Sequence, residues 1–174
     1  EITTDKLGTQ RFDKVIMASH ADQSLRLIAD ATDREREVLS AFQYQPNKTH
    51  LHTNDKFMPE TKRCWAAWNY RYEGDTTTHY WMNELQGVSD KVNYFVSING
   101  DVPAADVKKA IDYEHPLFDL PAIAAQKQVP ALNASSSNTY FVGAWTRYGF
   151  HEDGLLSAVN LCEQLLGGDP WERR

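Results

Sequence analysis

Hydrophobic and polar positions recur with two different periods along the chain, and the helical period is clearest near the C-terminus. Between residues 154 and 166, apolar side chains return every three or four positions, as in a helix with one buried stripe. That stripe consists of Leu155, Ala158, Val159, Cys162, Leu165 and Leu166. Gly167 and Pro170 are stop signals, because glycine adopts the left-handed helix end and proline cannot extend a helix. Together with the apolar run 139–145 and a glycine-containing turn at 147–153, the pattern predicts a strand, a turn and a closing helix.

The helical period returns in shorter segments upstream. Residues 21–29 are predicted to form a helix, and a second helix follows Thr32, which has Glu35 at the spacing of a capping box. Residues 117–128 are predicted to form a third short helix. The polar stretch 129–138, which contains a proline and three serines, is predicted to be a loop.

Strand-like alternation dominates from about residue 41 to residue 100. It is strongest at residues 64–72, where one face carries Cys64, Ala66, Trp68, Tyr70 and Tyr72. A turn at Gly74 and Asp75 predicts a hairpin with a strand at 77–85. Further strands are predicted at 42–53 and 94–98. Residues 1–4 and 12–18 are predicted to form an N-terminal hairpin. The segment 107–113 fits either a strand or a helix. The pattern therefore predicts an α+β fold with a mixed or antiparallel sheet and flanking helices.

Composition, net charge and cysteine content exclude several classes of protein. The chain has 174 residues, of which 41% are hydrophobic, and a net charge of −6, so we expect a packed core and no nucleic-acid partner. The sequence contains neither an apolar stretch of the ~20 residues that span a bilayer nor a signal peptide. Cys64 and Cys162 are expected to be buried thiols, which fits a reducing, cytoplasmic location. Because the chain starts at Glu1, we expect a piece of a longer protein.

The sequence offers only weak motifs for a metal site and for a hydrolase active site. His50 and His52 have a spacing that zinc can use, but no third ligand follows at a spacing typical of zinc sites. We therefore expect these histidines to face solvent and expect no metal. The sequence has no Gly-x-Ser-x-Gly elbow, and the serines at 135–137 have no neighbouring base, which disfavours a hydrolase. His20 is expected to be a surface loop residue or the partner of a helix cap.

Several longer segments resemble a known family. The run GAWTRYGFHEDGLLSAVNLCEQLL resembles the closing segment of FAD-dependent amine oxidoreductases, in which a Gly-aromatic-x-(Glu/Asp)-Gly turn begins the last helix. FDKVIMASHADQSLRLI, RCWAAWNYRYEG and YEHPLFDLPAIAAQ resemble, in the same order, bacterial predicted NAD/FAD-binding proteins of the flavin-containing amine oxidase and desaturase superfamily. That family opens with a glycine-rich dinucleotide fingerprint, and no G-x-G-x-x-G follows a strand here. The chain thus looks like the C-terminal portion of such a protein.

The resemblance implies a discontinuous organisation around FAD. Residues 1–31 and 138–170 would be pieces of an FAD-binding α/β domain, and residues 40–135 would form an inserted substrate-binding sheet domain. The implied cofactor-binding residues are Gly143, Ala144, Gly149, Phe150, His151, Glu152, Asp153 and Gly154. The implied substrate-binding aromatics are Trp65, Trp68, Tyr70 and Trp81. A simple tight turn would also explain the glycines, and sheet packing would also explain the aromatics.

The implied activity leaves alternatives open. The resemblance implies an oxidoreductase that takes a hydride equivalent from a small apolar or amine-bearing substrate, with no catalytic residue assigned. Residues 64–72 lack the lysine that often holds a water at the flavin in amine oxidases, so desaturase-like chemistry stays open beside amine oxidation. Without the dinucleotide fingerprint the chain is expected to be inactive alone and to self-associate through exposed faces. The alternative is a non-catalytic ligand-binding or protein-interaction domain.

Overall fold

The computed structural model describes residues 1–136 and 138–172 and combines helices with strands, which confirms the α+β class. In chain order the elements are β1 (Ile2–Thr4), β2 (Gly8–Gln10), β3 (Val15–Met17), α1 (Ala21–Leu27), α2 (Asp33–Leu39), β4 (Tyr44–His52), β5 (Trp68–Glu73), β6 (Asp75–Trp81), α3 (Met82–Gln86), β7 (Phe95–Ile98), β8 (Val107–Pro116), α4 (Leu120–Gln126), α5 (Val129–Ser135), β9 (Thr139–Phe141) and α6 (His151–Leu166). Single 3-10 turns occur at Asp55–Phe57, Lys62–Cys64 and Ala144–Thr146.

The chain divides into two compact units. Unit 1 comprises residues 1–44 and the chain from Pro116 onward, and unit 2 comprises residues 45–115. The insert expected from the sequence, 40–135, is longer than unit 2, because residues 116–135 pack within unit 1. The assignment of the two units to an FAD-binding domain and a substrate-binding domain stays a prediction.

Unit 1 is built around a pair of parallel strands. β3 pairs with β9 over three residues, from Val15 opposite Thr139 to Met17 opposite Phe141. On one side, Phe141 joins a buried cluster contributed by four helices, the loop between α2 and β4, and the turn after β9: Ala21, Val38, Leu39, Phe42, Ala122, Ala125, Val129, Leu132 and Trp145. On the other side, Tyr140 and Val142 pack against Leu161 of α6. An N-terminal hairpin is present, but β1 pairs with β2 and not with the segment 12–18 as expected, because that segment supplies β3, which pairs with β9.

Local helix signals in unit 1 were predicted well. The Thr32 side chain accepts the Glu35 N–H, and the Glu35 carboxylate accepts the Thr32 N–H, so the capping box is present. Gly167 ends α6 with φ +71°, in the left-handed region. The loop predicted at 129–138 was wrong over its first part, which forms α5 with Pro130 in its first turn, where proline is tolerated.

The buried face of α6 differs from the predicted stripe. The helix starts at His151 rather than at residue 154, and the strand before it ends at Phe141 rather than at residue 145. Leu155 and Leu166 of the predicted stripe are about half exposed, whereas Leu161, outside the stripe, is 3% exposed. Spacing identified an amphipathic helix, but the neighbours that cover it decided which side is buried.

Unit 2 contains a five-stranded sheet with the order β5-β6-β7-β4-β8. β5, β6, β7 and β4 are paired antiparallel, and the hairpin between β5 and β6 turns at Gly74 with φ +88°. The ambiguous segment 107–113 lies in strand β8. The strand predicted at 77–85 is shorter, because residues Met82–Gln86 form α3.

The strand predicted at 64–72 also needs correction at its beginning. Residues Lys62–Cys64 form a 3-10 turn, and β5 starts only at Trp68. Cys64 is therefore exposed, not buried as expected, and Cys162 is partly buried.

Candidate functional site

The predicted cofactor residues lie together in the connection between β9 and α6. The start of the helix packs closely on the end of the strand: a Cβ at Gly154 would stand 3.7 Å from the Ala144 nitrogen. The Gly143 N–H donates to Ser157 Oγ at 2.9 Å, and the Ser157 hydroxyl donates to the Gly154 carbonyl at 2.7 Å. Hydrogen bonds therefore hold the start of the helix to the turn that follows β9, and a Cβ at position 154 would make only an ordinary van der Waals contact there.

Two glycines of the connection are required by the turn itself. A Cβ at Gly143 would stand 2.5 Å from Nε1 of Trp145, a distance that real Cβ atoms do not reach. Gly149 has φ +89°, and a Cβ there would stand 3.2 Å from the ring of Phe118. These contacts favour the tight-turn interpretation of both glycines. Close approach of their backbone to a cofactor ring stays a prediction.

Asp153 organises the turn from its position in the first turn of α6. Its carboxylate is 6% exposed, and Oδ2 accepts the N–H groups of Tyr148 at 3.2 Å and Phe150 at 3.1 Å. Oδ1 lies 3.6 Å from Nε of Arg147. Since both oxygens already have partners inside the turn, Asp153 is suited to shaping the site rather than to holding a ligand.

The first N–H groups of α6 are the part of this site that is open to a ligand. The Phe150 carbonyl accepts the N–H groups of both Asp153 and Gly154. The N–H groups of His151 and Glu152 have no hydrogen-bond partner within residues 1–136 and 138–172. The side chains of His151 and Glu152 are exposed, and that of Phe150 is 66% exposed. A 16-residue helix with two free N–H donors at its positive end suits an anionic or electron-rich acceptor.

A separate cavity in unit 1 does not include these residues. It measures about 190 Å³ and lies between α5 and α6, where Val129, Asn133, Ser157 and Leu161 contribute to its wall. None of the predicted cofactor residues lines it. The candidate site is thus an open helix start and not an enclosed cavity of unit 1.

The predicted substrate aromatics fall on two opposite faces of the sheet in unit 2. Trp68 and Tyr70 point to the same face as Tyr80, with Trp68 and Tyr80 stacked at 6.1 Å between ring centroids. Trp68 and Tyr70 are 63% and 67% exposed. Trp65 and Trp81 instead pack edge-to-face on the other side, with centroids 5.3 Å apart. The structure therefore brings together only two of the four predicted residues on an accessible face.

A buried hydrogen-bonded chain of two histidines and a serine was missed by the sequence analysis. Ser97 Oγ lies 2.7 Å from His52 Nε2 and 2.7 Å from His79 Nδ1, and all three side chains are at most 1% exposed. The N–H of Asn54 donates to His52 Nδ1, so this nitrogen is an acceptor and Nε2 carries the hydrogen. His52 therefore donates to Ser97 Oγ, which is also hydrogen-bonded to His79 Nδ1, and His79 Nε2 is hydrogen-bonded to Thr77 Oγ1 at 2.9 Å.

This chain of hydrogen bonds holds neutral imidazoles. Burial, together with the charges of His52 and Arg71, lowers the pKa of His79 to about 4. Burial, together with His50, also lowers the pKa of His52, although Asp106 acts in the opposite direction. The expectation that His50 and His52 face solvent was wrong: they are 7% and 0% exposed. Alternation along β4 correctly put both rings on one face of the strand. Their burial depends on the pairing of β4 with β7 and of β7 with β6, which the sequence pattern does not predict.

Comparisons with known proteins do not identify a family. No protein-family model matches this chain, and no curated protein matches it. In residues 1–136 and 138–172, no group of three or more His, Cys, Asp or Glu side chains could hold a metal ion. Within the same residues, every helix is too short or too polar to cross a membrane.

Proposed function

We propose that this chain is part of an FAD-dependent oxidoreductase of the amine oxidase and desaturase type. The observation that carries the proposal is the start of α6, where the N–H groups of His151 and Glu152 are free and follow directly on a strand and a tight turn. Bound FAD would supply the hydride acceptor of the reaction. Helix N–H groups stabilise negative charge, and this is the charge that a flavin acquires at its pyrimidine edge on reduction.

The organisation of the chain supports the proposal independently of the turn. β3 and β9 are parallel neighbours, although residues 45–115 form a unit of their own between them in sequence. Parallel strands belong almost only to sheets whose two faces are covered by helices, as in nucleotide-binding α/β domains. Here α6 packs on one face of the pair and α5 and neighbouring helices pack on the other.

The residues of the site fit one edge of a flavin and not the whole cofactor. His151 and Glu152 would provide backbone donors, and Asp153 would hold the turn that positions them. Gly143 and Gly149 would contribute indirectly, by allowing the turn to form, because the space beside each α-carbon is occupied by the side chain of Trp145 or Phe118. The pyrophosphate would need the glycine-rich fingerprint, which the sequence lacks. A longer chain would have to contribute it, and a cytoplasmic location is part of the same proposal.

In unit 2, we place the candidate substrate surface on the aromatic face that holds Trp68 and Tyr70. These side chains offer a flat apolar surface, which suits an apolar or amine-bearing small molecule. Trp65 and Trp81 would contribute only indirectly, by packing against Phe95 and against each other beneath the strands. Such packing would fix the strand that carries Trp68.

Replacement of the first residue of α6 gives a sharp test. His151→Pro removes one free N–H while keeping a residue that the first helical position accepts, and Phe150 already has the extended ψ of 159° that precedes proline. His151→Ala is the matched control, since it removes the same side chain and keeps the N–H. In the longer protein that binds FAD, His151→Pro is expected to lower the flavin reduction potential relative to His151→Ala, measured by visible absorption during reductive titration.

Equal potentials in the two variants would contradict the role of this helix start. Absence of any flavin from the purified longer protein would contradict the oxidoreductase itself. In that case a non-catalytic binding module is favoured by a specific observation: Trp68, Tyr70 and Tyr72 are each more than 60% exposed along one strand.

A further inference from the structure

β5 leaves a row of main-chain hydrogen-bonding groups without partners at the edge of the sheet. The Trp81 N–H donates to the Ala67 carbonyl, which fixes the odd-numbered residues of β5 as those that face β6. The N–H and C=O groups of Trp68, Tyr70 and Tyr72 therefore point away from β6. Within the described residues, β5 has β6 as its single strand neighbour.

The two edges of this sheet differ in how they are protected against pairing. β8, at the opposite edge, has exposed charges on both faces: Lys108, Lys109, Asp112 and Glu114. Charged side chains of this kind prevent an edge strand from pairing with another chain. β5 carries exposed charges on one face only, at Arg71 and Glu73, and on the other face it exposes Trp68, Tyr70 and Tyr72 at 63%, 67% and 73%. Large aromatic side chains on a free edge favour strand addition.

The sequence of β5 is complementary to itself in the antiparallel direction. With Tyr70 opposite Tyr70 of a second copy, Trp68 stands opposite Tyr72 and Asn69 stands opposite Arg71. The outward-facing residues then form the hydrogen-bonded pairs, and all aromatics remain on one face. Shifting the register by two residues in one direction would put Arg71 opposite Arg71, which like charges oppose. Shifting it by two in the other direction shortens the overlap, so the Tyr70-centred register is the favoured one.

We propose that two copies of this chain associate through antiparallel pairing of their β5 strands, centred on Tyr70. The paired sheets would share a continuous aromatic face and would bury the unpartnered main-chain groups of both edges. The occupant of the edge is a second copy, because the strand matches its own reverse in side-chain face and hydrogen-bonding position, and this register sets no like charges opposite each other. This inference does not depend on the binding of FAD.

Site-specific crosslinking tests both the contact and its register. In a background with Cys64→Ser and Cys162→Ser, Tyr70→Cys is expected to form a disulfide-linked dimer under mild oxidation. Cα atoms of a hydrogen-bonded antiparallel pair stand about 5.5 Å apart, within the range that a disulfide spans. Tyr72→Cys is the matched control: it lies on the same face and edge, but the two copies of this position would be roughly 13 Å apart along the strands. It is therefore expected not to crosslink.

Light scattering of the uncrosslinked chain provides a second measurement. The chain is expected to be dimeric, and Tyr70→Pro is expected to abolish the dimer, because it removes an outward N–H and leaves the bonds to β6 in place. Circular dichroism would check that the variant keeps its fold, and Tyr70→Thr serves as a second variant that keeps the N–H. A monomeric wild-type chain, a dimer that survives Tyr70→Pro in folded form, or crosslinking of Tyr72→Cys without Tyr70→Cys would overturn the proposal.

Discussion

At the residue scale, two buried polar side chains, Asp153 and Ser97, each have two or more defined hydrogen-bond partners. Asp153 accepts two N–H groups of its own turn, and Ser97 is hydrogen-bonded to two histidines. A buried polar group without a partner costs about 1–3 kcal/mol, so each of these side chains constrains the backbone around it. Their functional consequence is rigidity: Asp153 fixes the start of α6, and Ser97 ties β7 to β4 and β6.

The neutral state of the histidine chain predicts a loss of stability in acid. The pKa of His79 is about 4 in the folded protein against 6.5 as the ordinary value, so the unfolded chain binds the proton first. The contribution of His79 to the free energy of unfolding is therefore fully present above about pH 6.5 and is lost as the pH falls toward 4. Its size is at most about 3.5 kcal/mol, at about 1.4 kcal/mol for each unit of pKa.

Urea unfolding between pH 7 and pH 4.5 would measure this effect. His79→Asn is expected to show a shallower dependence of unfolding free energy on pH than the wild type. His151→Ala, which removes an exposed histidine from the helix start, is the control and is expected to keep the wild-type dependence. If His79→Asn kept the full slope, the buried imidazole could not be its source.

At the scale of elements, a side chain of α5 completes the outer edge of β9. The Asn133 amide donates to the Phe141 carbonyl and accepts the Phe141 N–H, both at 2.9 Å, so it acts as one residue of a neighbouring strand. Asn133 is 7% exposed and both bonds are buried. The strand that leads into the candidate site thereby needs no further strand at this position.

Replacing this asparagine should destabilise unit 1. Asn133→Leu has a similar volume but leaves the N–H and C=O of Phe141 buried without partners, and we expect the free energy of unfolding to fall by about 2–4 kcal/mol. Asn160→Leu on the exposed side of α6 is the matched control, with an expected change within about 0.5 kcal/mol. Chemical denaturation would measure both, and similar small effects would show that Asn133 is dispensable.

At the scale of the whole molecule, the division into two units has a direct consequence for folding. Unit 2 is continuous in sequence, and every member of its histidine chain, from Asn54 to Thr77 and Ser97, lies within residues 45–115. Residues 45–115 expressed alone are therefore expected to retain a β-sheet. Unit 1 is assembled from two separate stretches and has no such autonomy in either stretch.

Circular dichroism and amide hydrogen exchange of the excised segment would test this expectation. Protection of the amides in β6 and β7 would show that the sheet forms without unit 1. A random-coil spectrum would show that unit 2 depends on the rest of the chain. Residues 1–44 expressed alone provide the comparison, since β3 would lack its partner β9 and is expected to be unprotected.

The sequence by itself determined the features that depend on a few neighbouring residues. The capping box of Thr32 and Glu35, the helix end at Gly167 and the hairpin turn at Gly74 were all predicted, because caps and turns are made by the residues that signal them. The α+β class followed from the two hydrophobic periods. The function implied by the family resemblance remains a proposal.

The tertiary structure alone decided what is buried and what meets across the chain. Spacing in α6 could not choose Leu161 over Leu155, because burial depends on Tyr140 and Val142 that pack opposite. Alternation alone put Trp65 on the face opposite Trp68 and Tyr70, but only the register of β5 and β6, with Trp68 opposite Tyr80, put Trp81 on the face away from Trp68. The bond between His52 and Ser97 joins residues 45 positions apart. Such contacts are set by the pairing of strands, about which periodicity within one strand carries no information.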